Sequence, residues 1–182
     1  MSGVISAVVE FLVLSVPTGL YLWFRRHRPD HGWPAMGLTF GSCRDYARAL
    51  GVAVVLIGLG LVATRVIPAD VLTAAGATNR ITGVMVALAV AVRSAGEEVL
   101  FRGFLQGVIT NRLGTSAGIW FQAVLFLLPH VALLLVSPLV WPILPAQFLT
   151  GLALGWLRSR HDRIAPPIAV HVIANIAAGL LV

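Results

Sequence analysis

Six stretches of this sequence are apolar over a length close to that of a bilayer core, and no other feature limits the fold so strongly. They are Val4–Phe24, Leu50–Ile67, Ile81–Ile109, Thr115–Val136, Leu139–Leu157 and Ile164–Val182. A spanning helix needs about 20 apolar residues, and turn residues and charges punctuate the chain between the runs. The reading is an all-α, polytopic transmembrane helix bundle of about six spanning helices, with 1–182 as a single membrane domain. Composition agrees: 58% of residues are hydrophobic, 11% are charged and the mean hydropathy is +0.92, outside the balance of a soluble domain. The third run, about 29 residues or roughly 43 Å of helix, exceeds the bilayer core. It is therefore expected to tilt, to break near Ser94–Gly96 or to include a re-entrant segment.

Arginine supplies every one of the 13 basic residues, and the formal net charge is +6. A nucleic-acid surface would gather such charge on one exposed face. Here it falls in alternate short loops: Arg25, Arg26, Arg28, Arg44 and Arg48 in the first, Arg112 in the third, and Arg158, Arg160 and Arg163 in the fifth. The second loop has Arg65 and Arg80 at its edges around Asp70, and the fourth has none. This is the positive-inside pattern, with a secondary attraction to anionic lipid heads. It predicts a plasma-membrane protein with both termini outside the cytosol, whose partner is the lipid bilayer and not nucleic acid. The first segment lacks a basic leader and a small-residue cleavage site, so a retained helix and a start near Met1 are expected. Cys43 is the single cysteine, which excludes an intrachain disulfide and a cysteine-rich metal cluster. The loop Arg25–Arg48, with Trp33, Pro34 and the run Met36–Phe40, reads either as an interfacial helix or as a plain connector.

Ionisable residues inside spans are costly and mark function by default. Glu10 stands in the first run, Arg93, Glu97, Glu98 and Arg102 in the third, His130 in the fourth, and His171 with Asn175 in the sixth. Arg93/Glu97 and Glu98/Arg102 both have i,i+4 spacing and can pair along one helix. That structural reading explains how the charges are tolerated, although a buried pair is weak evidence for stability. Phe126 and His130 share a helical face, with Pro129 loosening the backbone between them. His171 and Asn175 lie one turn apart and offer an imidazole beside an amide that can donate to an oxyanion. Glu10 is expected to snorkel, to pair with a buried arginine or to bind nothing specific.

Depth links these groups. From the expected cytosolic ends, Glu98 lies about 20 Å in, His130 about 22 Å and His171 about 10 Å, so polar groups from three spans can line one cavity if a tilt or a helix break raises His171. Carboxylate, imidazole and amide, with no cysteine or serine in a nucleophile setting, fit a water activated by a general base beside a polarised carbonyl. With one glutamate held by Arg102, the other is left to act as base.

The same residues fall into "EEVLFR" at Glu97–Arg102, "FLLPH" at Phe126–His130 and "HVIAN" at His171–Asn175. In that order, on successive apolar runs, they resemble the EExxxR, FxxxH and HxxxN motifs of the CPBP family. This group comprises the CAAX prenyl endopeptidases and the bacteriocin-processing or immunity (Abi) proteins, and the label of intramembrane metalloprotease goes with it. The likeness covers about 90–182, the expected catalytic core. It implies an intramembrane endopeptidase in which Glu97 and His130 activate the hydrolytic water and His171 and Asn175 stabilise the oxyanion, with Glu98, Arg102 and Phe126 in support. His130, His171 and Glu97 together would also offer zinc three N/O ligands and an open position. The spacing is not HExxH, which favours glutamate chemistry without a cofactor over Zn. Leu128 and Pro129 stand where a small residue is expected.

The lysine-free composition, rich in Ala, Gly and Arg, suggests a bacterial gene of high G+C content, where prenylated substrates are not expected. The implied partner is then a peptide or membrane-protein substrate, cut near the cytosolic leaflet. Two other classes remain open at this point: a small proton-coupled transporter with the glutamates and histidines as a relay, and a non-catalytic immunity or scaffold protein using the same cavity.

Overall fold

A computed structural model of the chain describes residues 2–27, 36–76 and 80–181. The helices are α1 (Ser2–Phe24), α2 (Cys43–Arg65), a short α3 (Ala69–Ala74), α4 (Val84–Glu98), a π-helical stretch (Val99–Leu105), α5 (Gln106–Leu113), α6 (Thr115–Val131), α7 (Ile143–His161) and α8 (Ala165–Leu181). No strand occurs among the described residues. By length and composition Gly3–Phe24, Cys43–Arg65 and Thr115–Leu135 suffice to cross a membrane. Side chains such as Val13, Val54, Val62 and Leu135 point outward from the bundle. An apolar surface of that extent is incompatible with water and suits lipid, so the protein is an integral membrane helix bundle.

The boundaries differ from the sequence expectation where caps and prolines act. α2 begins at Cys43 and not Leu50 because Asp45 Oδ2 accepts the Ser42 N–H at 2.7 Å, a capping arrangement that starts the helix ahead of its apolar stretch. The fifth run is a 3₁₀ turn, Pro138–Val140, followed by α7 from Ile143. Pro138, Pro142 and Pro145 lack amide donors and are confined to first turns and caps. No break occurs near Ser94–Gly96. α4 runs through it, and the irregularity is the π stretch that follows, in which the Gln106 N–H reaches back to Phe101 O. Of the first loop, Trp33 and Pro34 lie outside the described residues. Met36–Phe40 is not a continuous helix; instead Met36 is fully buried, and Gly37, in the left-handed region at φ 69°, turns the chain so that its carbonyl accepts the Ile164 N–H at 2.7 Å.

Close helix approach sets the rest of the bundle. α1 runs parallel to α4: Gly3 and Val4 share a groove with Met85 and Val86, and lower down Thr18 Oγ1 donates to Val99 O at 3.2 Å. Gly96 permits this, since a Cβ there would meet Phe11 Cα at 3.0 Å. α6 and α7 meet across Gly151 and Gly155, a small-xxx-small spacing that lets backbones approach in lipid. The exposed carbonyls are used: Gly151 O accepts from Gln122 Nε2 at 2.7 Å and Gly155 O from Gln106 Nε2 at 2.8 Å. At one end α2, α7 and α8 enclose Ala49, Ala53, Leu56, Leu154, Leu157 and Val170. At the other, Ile67, Leu72, Ala75, Val140 and Ile143 close the loops.

Candidate active site

The π stretch follows directly on the two glutamates. A wider turn advances the helix face, and such bulges often accompany functional sites. Before it, Ser94 and Glu98 point into the bundle; within it, Arg102 does, and after it Gln106, all four almost completely buried. Arg102 Nη1 donates to Glu98 Oε1 at 2.6 Å with both side chains fully buried, the i,i+4 pair expected from the sequence.

The other expected pair does not form. Arg93 Nε binds Glu10 Oε2 at 2.7 Å, because the close α1–α4 contact at Gly96 brings Glu10 to the level of Arg93. Glu10 therefore pairs with an arginine, and Glu97 is left facing a cavity of about 580 Å³. Glu97, His130, His171 and Asn175, from α4, α6 and α8, all line that cavity.

His171 is the joint of the site. Its Nδ1 lies 2.7 Å from Glu98 Oε1 and its Nε2 lies 3.8 Å from Glu97 Oε2. With Nδ1–H directed to Glu98, Nε2 faces Glu97 and the cavity. Counting residues from Ile164 made His171 look shallow; Ile164 is itself buried and tied to Gly37 O, so α8 starts inside the bundle and not at its surface. One turn on, Asn175 Nδ2 donates to Ser94 Oγ at 3.0 Å, which fixes the amide and keeps a second amide hydrogen for another acceptor.

Phe126 is the common wall. Its ring lies under the Arg102 guanidinium at 4.3 Å, edge-on to Phe101 at 5.2 Å and to His171 at 5.8 Å, and 5.1 Å from the His130 ring. The Phe126 carbonyl also lies 3.0 Å from His130 Nδ1; when that nitrogen carries the proton, Nε2 is an acceptor.

Sequence reasoning missed two participants, Ser94 and Gln147, and left open which arginine Glu10 would meet. Ser94 positions Asn175, and its signal was spacing, four residues before Glu98 on the same face. The Glu10–Arg93 pair forms the cavity's side, a contact between distant spans that helix periodicity cannot show. Gln147, from α7, lines the cavity but stands in an ordinary apolar run. Among the described residues no three His, Cys, Asp or Glu side chains form a group able to hold a metal ion.

A family model described as "Rce1-like: Type II CAAX prenyl endopeptidase Rce1-like" matches residues 79–177, a span that contains every lining residue from α4, α6 and α7. Comparison with curated proteins and with solved structures gives no match.

Proposed function

The chain belongs to the type II CAAX prenyl endopeptidase Rce1-like family, and on that premise we propose that it is an intramembrane endopeptidase that hydrolyses a peptide bond with water activated by Glu97 and His130. The observation that carries this reading is the division of labour between adjacent glutamates. Glu98 is fully buried, bound by Arg102 and His171. Glu97 keeps about a quarter of its side chain open, with His171 Nε2 at 3.8 Å.

In the proposed reaction a water between Glu97 and His130 Nε2 gives up a proton to Glu97 as its oxygen attacks the carbonyl carbon. The tetrahedral oxyanion is met by the free amide hydrogen of Asn175 and by the His171 imidazole, whose Nδ1–H donates a hydrogen bond to Glu98 and so aims Nε2 into the cavity. Preorganised donors of this kind supply catalysis because they need not reorient as charge develops. Collapse breaks the C–N bond, and Glu97 returns its proton to the leaving amine. The products are a carboxylic acid and an amine, and the enzyme is restored. Glu98, with Arg102 behind it, positions the imidazole without touching substrate, Phe126 packs against both histidine rings, and Ser94 positions Asn175.

The relay reading fits less well, since Glu98, Arg102 and Phe126 close the inner end of the cavity with at most 1% exposure. For the catalytic reading, purified protein is incubated with a quenched peptide library with and without a strong chelator. Cleavage undiminished by chelator is expected. Activity abolished by chelator and restored by zinc would replace the carboxylate mechanism by a metal one, and no cleavage of any sequence would favour a binding role.

A further inference from the structure

A second hollow, of about 550 Å³, lies at the end of the bundle where α1, α5 and α7 finish and α6 begins, and it shares no lining residue with the cavity that holds the candidate site. Three arginines from three turns line it: Arg25 just after α1, Arg112 in the last turn of α5 and Arg158 in the last turn of α7. A carboxylate lines it too, that of Asp162, whose Oδ1 accepts from Arg158 Nη1. An arginine in a last turn ordinarily answers the negative end of its own helix. That role does not require three guanidinium groups to share one hollow, where like charges repel.

Two further features suit an anion there. α6 starts at this hollow, Thr115 being part of its wall, and Gly114 at its N-cap, with φ 88°, has no side chain to cap the helix. The Gly118 N–H donates to Gly114 O at 3.0 Å, which leaves the N–H groups before it without an intrahelical acceptor, at the positive end of the helix dipole. No acidic residue stands in that first turn. Independently, Arg158 is 5% exposed and its Nε has no hydrogen-bond partner among the described residues. Asp162, 82% exposed, therefore satisfies only part of a buried guanidinium.

The level of the hollow narrows the ligand. Trp23 and Phe24 close α1 with exposed rings; Arg26 lies over Trp23 at 4.3 Å, and near the end of α7 Arg160 lies over Trp156 at 5.5 Å. Tryptophan and arginine together favour the headgroup level of a bilayer, where phosphate is the abundant anion. A guanidinium fork matches two phosphate oxygens at once, and a helix N-terminus is a ready phosphate site.

We propose that this hollow binds the phosphate group of a phosphate-bearing molecule, held by Arg112, Arg158 and the start of α6. The phosphate comes either from a lipid headgroup or from a free phosphate compound, since both present the same charged oxygens. The site does not depend on the peptidase reading.

For the lipid source, the full chain is reconstituted in nanodiscs of phosphatidylcholine alone or of equal parts phosphatidylcholine and phosphatidylglycerol, and lipid retained on extraction is identified by native mass spectrometry. For the free source, inorganic phosphate is titrated onto protein in neutral detergent, with ionic strength held constant by chloride, and read as a rise in unfolding temperature. Arg112→Gln and Arg158→Gln are compared with Arg160→Gln, which removes the same charge from the same end but outside the hollow. Binding in at least one arm is expected for wild type and unchanged in Arg160→Gln. In Arg112→Gln it should weaken by about tenfold or more, as for loss of one charge-assisted hydrogen bond. Retention of phosphatidylglycerol without a response to phosphate identifies a headgroup; the converse identifies a free phosphate compound. Equal weakening in all three variants would reduce the effect to diffuse surface charge and overturn the proposal, as would binding in neither arm. Arg112 is exposed, so its variant decides the matter if Arg158→Gln fails to fold.

Discussion

Glu98 and Arg102 show how four kinds of contact converge on two side chains: an ion pair, a hydrogen bond to His171, a cation–π contact with Phe126 and complete burial. Glu98 Oε2 and Arg102 Nε and Nη2 still have no hydrogen-bond partner among the described residues, so the pair is costly to maintain and poorly replaced. Removing one partner of such a pair leaves the other charge buried, at a cost of about 3–5 kcal/mol. Glu98→Gln is therefore expected to lower stability by that order, seen as an earlier thermal transition in detergent, and to release His171. An unchanged transition would show that the pair is not fully desolvated. The i,i+4 spacing made this pair legible in the sequence. The same rule misassigned Arg93, because spacing along one helix carries no information about Glu10, 83 positions away in the chain.

Among the elements, the α6–α7 interface depends on absent side chains. A Cβ on Gly151 would meet Ala123 Cα and Cβ, both at 3.0 Å, and backbone cannot yield as a flexible side chain can. Gly151→Val is expected to cost about 1–3 kcal/mol through overpacking and to break the Gln122–Gly151 hydrogen bond. Wild-type thermal stability in that variant would contradict the close approach. Gly96→Val should act similarly at the α1–α4 contact, with the added effect of displacing Glu10 from Arg93. The variant protein would then show lower stability and altered activity, checked together by unfolding and peptide cleavage; a change in neither would contradict the role of that contact. Apolar periodicity revealed the six runs, since each must face lipid on much of its circumference. It did not reveal the π stretch, whose residues Val99–Leu105, Gly103 among them, follow no pattern that separates a π turn from an α turn, nor the start of α2, which a polar cap sets outside the apolar run.

At the scale of the whole molecule the bundle has a basic end and, away from it, the cavity that holds the candidate site. The candidate site residues are spread over 78 positions, from Glu97 to Asn175, yet line one cavity because α4, α6 and α8 pass through its walls. The residue types and their order were legible beforehand. Their meeting depended on α8 starting below the surface at Ile164, and that depth comes from a loop hydrogen bond to Gly37 which no hydrophobic pattern encodes. The central claim is that Glu97 activates water for peptide hydrolysis at this cavity. The most direct measurement compares wild type with the nearly isosteric Glu97→Gln, both shown to unfold at the same temperature, by following fragments from a peptide library with mass spectrometry. Loss of a general base lowers rate by about 10²–10⁴-fold, so fragments should appear with wild type and be reduced by that factor in the variant. Equal cleavage by the two proteins would contradict the claim.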